Sequence, residues 1–339
     1  MNTRLILQTI LSAVALAISI AVGISMISKY RPQNLEEKLD RAVVPLNSDR
    51  IVGGKLVVAN EFPFAAVLKI DVGSSRYTCG GTIISEKFIV TAAHCMYATA
   101  RGIKPSELEI GVGNPDLTLA GWVKAKKILV HPDYNGLLIT NDIALIELNE
   151  PLSFNDTINR AQIDLSLMKK GSEMTVIGWG VTSNESKTSS KVLEKTDLYV
   201  QDPAKCAPVR KDFNSNDLDI VCISNTENHK DTCYGDSGGP ALSAVPSGNT
   251  GPPNSKVKYN LVGITSYGDS TQKVVDSKGR PECGSDGATG FYTRVGFFLK
   301  FIAANTKLTV EYLVANTTSS GIPLSDKFSP QQSALTIDN

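Results

Sequence analysis

Phe88-Ile89-Val90-Thr91-Ala92-Ala93-His94-Cys95 begins as a short apolar run rich in β-branched residues and stops on a histidine and a cysteine. β-Branched and aromatic side chains suit a pleated, half-buried surface. Runs of the same kind recur at 65–70, 82–84, 128–130, 143–148, 174–177 and 261–264, with Gly, Pro, Asn and Ser between them. Short runs divided by turn formers predict an all-β sandwich or barrel. Helical spacing is weak until 295–305, where Phe297, Phe298, Phe301 and Ile302 fall on one face. Residues 243–258 and 269–282 read as long surface loops, and 306–339 as a flexible tail that turns Ser/Thr/Pro-rich.

The 339 residues carry 34 Lys+Arg against 34 Asp+Glu, so the formal net charge is zero. That balance argues against a nucleic-acid binder, which normally carries a basic excess, and against an acidic disordered chain. The 42% hydrophobic and 20% charged content is that of a globular fold. Arg4 precedes an uncharged stretch from 5 to 28, with small residues at Ala15, Ala17, Ala21 and Gly23. Residues 1–28 therefore read as a cleaved signal peptide or as an uncleaved anchor, since the stretch is long enough to span a bilayer. Either places the bulk of the chain in an oxidising compartment. Residues 29–50 are charged and without apolar periodicity, as in a linker or pro-segment. Six cysteines with no C-x-x-C spacing and only three histidines fit disulfides better than zinc.

Three short strings carry chemistry. In Gly235-Asp236-Ser237-Gly238-Gly239-Pro240, the flanking glycines allow a tight backbone path that exposes Ser237 Oγ; alone it could equally be a Gly-rich turn. His94, at the end of its apolar run, suits the task of taking a proton from a hydroxyl because an imidazole titrates near neutrality; the alternative is a structural histidine beside a disulfide. Asp142, in Asn141-Asp142-Ile143-Ala144-Leu145, is either a turn residue or a buried carboxylate that needs a donor, which an imidazole N–H would supply.

Taken together, in the order His94, Asp142, Ser237, these strings resemble the chymotrypsin-like serine proteases of trypsin type over residues 51–305. The resemblance implies two antiparallel six-stranded Greek-key β-barrels, about 51–165 and 166–294, and a C-terminal helix at 295–305. It implies Ser237 as nucleophile, His94 as general base and then acid, Asp142 as the orienting carboxylate, and the N–H groups of Gly235 and Ser237 as oxyanion hole. Ser266-Tyr267-Gly268 resembles the segment that pairs with substrate backbone, with Tyr267 where the family more often has Trp. Asp231, six residues before Ser237, matches the pocket-base position that selects Arg or Lys, and Gly290 the small residue that keeps that pocket open. Arg50 followed by Ile51-Val52-Gly53-Gly54 resembles the zymogen junction, whose new Ile51 ammonium pairs with the carboxylate beside the nucleophile, here Asp236. The resemblance also selects the pairs Cys79–Cys95, Cys206–Cys222 and Cys233–Cys283.

The expected function is a secreted serine endopeptidase zymogen that cuts after Arg or Lys. The alternatives are a membrane-tethered processing protease, should residues 5–28 stay uncleaved, and a non-catalytic protease-like binding protein. Expected partners are protein or peptide substrates and protein inhibitors, with no nucleic acid, and the chain is expected to be a monomer. No cofactor or metal is expected, because the segment 111–121 is short of carboxylates where trypsins often place calcium ligands. Asn155, Asn184 and Asn316 head N-x-[ST] sequons and are glycosylation candidates. His131 reads as structural and His229 as solvated.

Overall fold

The computed structural model describes residues 54–97, 101–184, 186, 188–224, 229–245, 258–272, 275, 282–315 and 335–337. Residues 1–53, with the leader, the pro-segment, Arg50 and Ile51, lie outside them, as do Asn316 and most of the loops 243–258 and 269–282.

After a two-residue strand β1 (Lys55–Leu56), six strands follow: β2 (Ala65–Val72), β3 (Ser75–Ile83), β4 (Phe88–Thr91), β5 (Leu108–Val112), β6 (Gly121–Val130) and β7 (Ala144–Leu148). They pair antiparallel in the order β5-β2-β3-β4-β7-β6, and β6 pairs again with β5 to close a barrel. Alternation does the sorting. In β2, Leu68 and Ile70 are fully buried, whereas Lys69 is half-buried and Asp71 exposed. Ile83, Ile89, Leu108, Ile110, Ile128 and Leu145 join them in the core. Each buried aliphatic side chain of this kind is worth about 1.5–3 kcal/mol.

A short β8 (Gln162–Ile163) leads to the second set: β9 (Glu173–Gly178), β10 (Glu194–Val200), β11 (Ile220–Ser224), β12 (Pro240–Val245), β13 (Lys258–Ser270) and β14 (Ala288–Arg294), with a one-turn helix α1 (Pro203–Cys206) between β10 and β11. The order β12-β9-β10-β11-β14-β13, closed by β13 on β12, repeats the connectivity of the first barrel. Closure removes the exposed edges that an open sheet would present. Val176, Leu198, Val221, Val262 and Tyr292 fill this barrel. The fold expected from the sequence is thus the one observed: two closed six-stranded antiparallel barrels and a short C-terminal helix. All seven apolar runs read from the sequence fall in or beside strands.

The C-terminal segment opens with a 3-10 turn (Val295–Phe298) and continues as α2 (Leu299–Thr306), burying Phe298, Phe301 and Ile302. His131 packs against Phe298 and Phe301, with ring centroids 5.2 and 4.8 Å away. Residues read as the start of a flexible tail belong to this packed body. A one-turn helix α3 (Val310–Leu313) buries Leu313, and Ala315 N–H donates to Ile163 O at 3.0 Å. Arg160 Nη1 donates to Tyr312 O at 2.6 Å and lies over the Tyr312 ring. Farther on, the backbone of β15 (Leu335–Ile337) pairs antiparallel with 128–130 of β6. Tertiary partners more than 100 residues away hold these pieces, which is why local composition read as tail.

Candidate active site

β4 ends at Thr91, and buried Ala92 and Ala93 lead into a 3-10 turn opened by His94. The Cys79–Cys95 disulfide anchors that turn to β3. Asp142 comes from the loop before β7 and is 2% exposed. His94 Nδ1 lies 2.8 Å from Asp142 Oδ2, and His94 backbone N–H donates to Asp142 Oδ1 at 2.8 Å. The second barrel completes the cage: Ser266 Oγ donates to Asp142 Oδ2 at 2.5 Å and Thr293 Oγ1 to Asp142 O at 2.9 Å. Burial alone would raise the Asp142 pKa, but the His94 charge and these hydrogen bonds outweigh it and hold the group below its ordinary value. Burial likewise works to lower His94, and the Asp142 charge and hydrogen bond reverse it, leaving the imidazole above 6.5.

Ser237 sits in the turn before β12. Gly235 and Gly238 have φ of 100° and 79°, in the left-handed region that favours glycine. A Cβ at Gly238 would fall 2.3 Å from Thr91 Oγ1 and 2.5 Å from Gly80 O. Ser237 O accepts from Gly80 N–H at 2.7 Å in the first barrel, and Gly238 N–H donates to Thr265 O at 2.8 Å in the second. The turn is therefore stitched to both barrels. The N–H groups of Asp236, Gly238 and Gly239 are all engaged, whereas those of Gly235 and Ser237 form no hydrogen bond among the described residues. His94 Nε2 lies 3.7 Å from Cys95 Sγ, with no hydrogen bond to Ser237 Oγ. Contacts of this kind commonly tighten only once substrate is bound.

Asp236 is fully buried and accepts from Gly180 N–H at 2.7 Å and Cys233 N–H at 2.9 Å. Burial pushes its pKa up to about 6, against the pull of those two donors. Gly178 and Gly180 make room for it, since a Cβ at either would collide with its carboxylate.

Beside Ser237 lies a cavity of about 230 Å³ whose walls include Asp231, Thr232, Ser237, Ser266, Tyr267 and Gly268. Asp231 is 7% exposed; its Oδ2 accepts from Gly284 N–H at 3.1 Å, and burial pushes its pKa up to about 7. At Gly290, read as keeping the pocket open, a Cβ would lie 2.9 Å from Ile223 O and from the Tyr292 ring. Tyr292 Oη and Thr232 Oγ1 are 2.8 Å apart, so Tyr292 backs the cavity through Thr232.

The cysteines pair as the resemblance implied, Cys79–Cys95, Cys206–Cys222 and Cys233–Cys283. Cys79, His94 and Cys95 are the one cluster of three metal-ligating residue types among the described residues, and its two sulfurs are bonded to each other. Asn155 stands on an exposed turn, where its Oδ1 accepts from the N–H groups of Thr157 and Ile158. His229 is exposed, but its Nδ1 lies 3.2 Å from Gly284 O. Asp269 and Glu282, which bound the long surface loop read from the sequence, stand in the cavity wall. Several contributors went unread in the sequence: the Ser266 and Thr293 hydroxyls on Asp142, and Arg210, whose Nη1 donates to Tyr267 Oη at 2.8 Å. No local signal marks them, because each acts on a partner distant in the chain. Among the described residues, no helix is long and apolar enough to cross a membrane.

A family model described as Trypsin matches residues 51–302. Among similar curated proteins, Trypsin-1 of the crayfish Astacus astacus is 30% identical, covering 75% of this chain and 99% of the relative. CLIP domain-containing serine protease B4 of Anopheles gambiae is 30% identical, covering 76% of this chain and 71% of the relative. Trypsin 5G1 of Aedes aegypti is 33% identical, covering 74% and 82%. With its two barrels, its three disulfides and this match over both barrels, the chain belongs to the trypsin family of chymotrypsin-like serine proteases.

Proposed function

We propose that this chain is the zymogen of a secreted serine endopeptidase that hydrolyses peptide bonds after Arg or Lys and is activated by cleavage after Arg50. The observation that carries the reading is that Ser237 and the buried Asp231 line one cavity. An ionised carboxylate in such a place favours a guanidinium or ammonium through a charge-assisted hydrogen bond. It disfavours an apolar side chain, which would leave it unpaired.

In the proposed reaction the cation on Asp231 sets the scissile carbonyl over Ser237. His94 Nε2 accepts the Ser237 proton as Oγ bonds to the carbonyl carbon, and Asp142 steadies the imidazolium through Nδ1. The uncommitted N–H groups of Gly235 and Ser237 receive the oxyanion; donors so placed are worth about 3–4 kcal/mol each in the transition state. His94 then gives its proton to the leaving amine, and water repeats the sequence to release the acyl group.

Activation follows from Asp236. With a pKa near 6 rather than 3.8, its ionised form costs about 3 kcal/mol in the uncut chain. A new Ile51 ammonium would offset that cost and hold the 235–237 turn in its working shape. The test is a peptide panel with Arg, Lys, Phe or Ala before the scissile bond, run before and after cutting at Arg50, with Ser237→Ala as control. Cleavage after Arg and Lys, appearing on processing and absent from the variant, is the expected result. Cleavage after Phe, or none by correctly cut protein, refutes the proposal.

A further inference from the structure

Cys283 and Gly284 form part of the structure around the cavity yet belong to no strand. Side chains hold their backbone instead. Cys283 N–H donates to Asn184 Oδ1 at 2.9 Å, and Asn184 Nδ2 donates back to Cys283 O at 3.1 Å. Gly284 N–H donates to Asp231 Oδ2, and Gly284 O faces His229 Nδ1. One asparagine thus replaces a strand partner for Cys283, from 99 residues away in the chain. Asn184 lies four residues past Gly180, whose N–H holds Asp236. The same loop therefore touches both the carboxylate beside Ser237 and the wall of the cavity.

We propose that Asn184 is a positioning residue for the cation-binding cavity and that its sequon is unmodified in the working protein. The consequence for substrates rests on the Arg/Lys reading above; the pairing itself does not. A primary amide that meets both the N–H and the C=O of one residue presents Oδ1 and the Nδ2 hydrogen on the same side as Oδ1. A glycan turns that group into a secondary amide, which is planar and prefers trans like a peptide bond. The sugar carbon then lies trans to Cβ, in the place of the hydrogen that Cys283 O receives. Glycan and pairing exclude each other. Without the pairing, the Cys283–Gly284 peptide loses its hold on one side, and the Gly284 N–H that orients Asp231 loses its fixed position.

The test uses the full chain cut after Arg50, as wild type, Asn184→Ala, Asn184→Asp and Ser186→Ala. Asn184→Asp keeps the acceptor but sets a carboxylate against Cys283 O, and Ser186→Ala removes the sequon while leaving Asn184. Hydrogen exchange at the Cys283 amide should quicken by about tenfold or more in Asn184→Ala, which removes its acceptor, and stay unchanged in Ser186→Ala. Benzamidine, a small amidinium, should bind about tenfold more weakly to the Asn184 variants. Phosphorylation of Ser237 by neutral diisopropyl fluorophosphate, in which Oγ bonds to phosphorus and fluoride leaves, should stay within about twofold, because the triad is untouched. Unchanged exchange at Cys283 in Asn184→Ala overturns the proposal, as does an equal fall in benzamidine binding and phosphorylation, which marks a merely structural role. A sugar found by mass spectrometry on the Asn184 peptide of protein that binds benzamidine at full strength also overturns it. Wild type that neither binds benzamidine nor cuts after Arg or Lys refutes the specificity reading instead, and the exchange measurement then still decides the pairing.

Discussion

Replacing Asp231 by Asn keeps the side-chain shape and removes only the charge. Burial lifts the wild-type carboxyl from 3.8 to about 7. Ionising it in the empty cavity therefore costs about 4 kcal/mol more than in water, at about 1.4 kcal/mol per pKa unit. A bound amidinium meets that cost only with an ionised partner, so its affinity should be flat above about pH 7 and fall about tenfold per unit below. At pH 8, Asp231→Asn should bind benzamidine at least about 30-fold more weakly, since losing one member of a buried charge pair costs about 2–5 kcal/mol. Stability moves the other way. A folded-state pKa above the unfolded value stabilises fully below about pH 4, and that contribution is lost as pH rises through about 7. Above pH 7 the unliganded variant should then exceed wild type by up to about 4 kcal/mol, and the two should converge near pH 4. The assay is benzamidine calorimetry from pH 5 to 8.5 in a Ser237→Ala background, which removes turnover, together with urea unfolding. A wild-type affinity that is independent of pH across that range, or an Asp231→Asn variant that binds as tightly, would refute the reasoning.

Three further outcomes are expected. With His94 raised above 6.5 by Asp142, kcat should climb with pH through a midpoint above that value, and Asp142→Asn should both lower kcat and move the midpoint down; a pH–rate profile of each protein tests this. Gly180→Ala places a Cβ 2.6 Å from the Asp236 carboxylate, so it should cut kcat by about 100-fold or more, the worth of one oxyanion donor, with the fold retained by circular dichroism. Leu313→Ala, at a side chain 1% exposed, should lower stability by about 2–5 kcal/mol in urea unfolding, which no flexible tail residue would do.

The strands were legible because barrel formation leaves a local trace. Runs such as 65–70 and 143–148 are β-branched, short and fenced by turn residues, and each lands in or beside a strand. His94, Asp142 and Ser237 were legible as types in local strings, since a tight glycine turn or an acid before an apolar run is visible without the fold, whereas Asp231 and Asp236 took their expected roles from the family resemblance. The structure gathers His94 with Asp142 and puts Ser237 and Asp231 on one cavity. What stays silent in the sequence is the partner of each polar group. Ser266 reaches Asp142 across 124 positions, Thr293 across 151, and Asn184 reaches Cys283 across 99. Asn184 read as a sequon because three adjacent letters define one, whereas its use by Cys283 depends on two loops meeting. The order of residue types along the chain determined where strands start and stop and which groups could do chemistry. Only the closed barrels decided which of those groups touch, because hydrogen bonds and steric limits act through space and leave no periodicity in the chain.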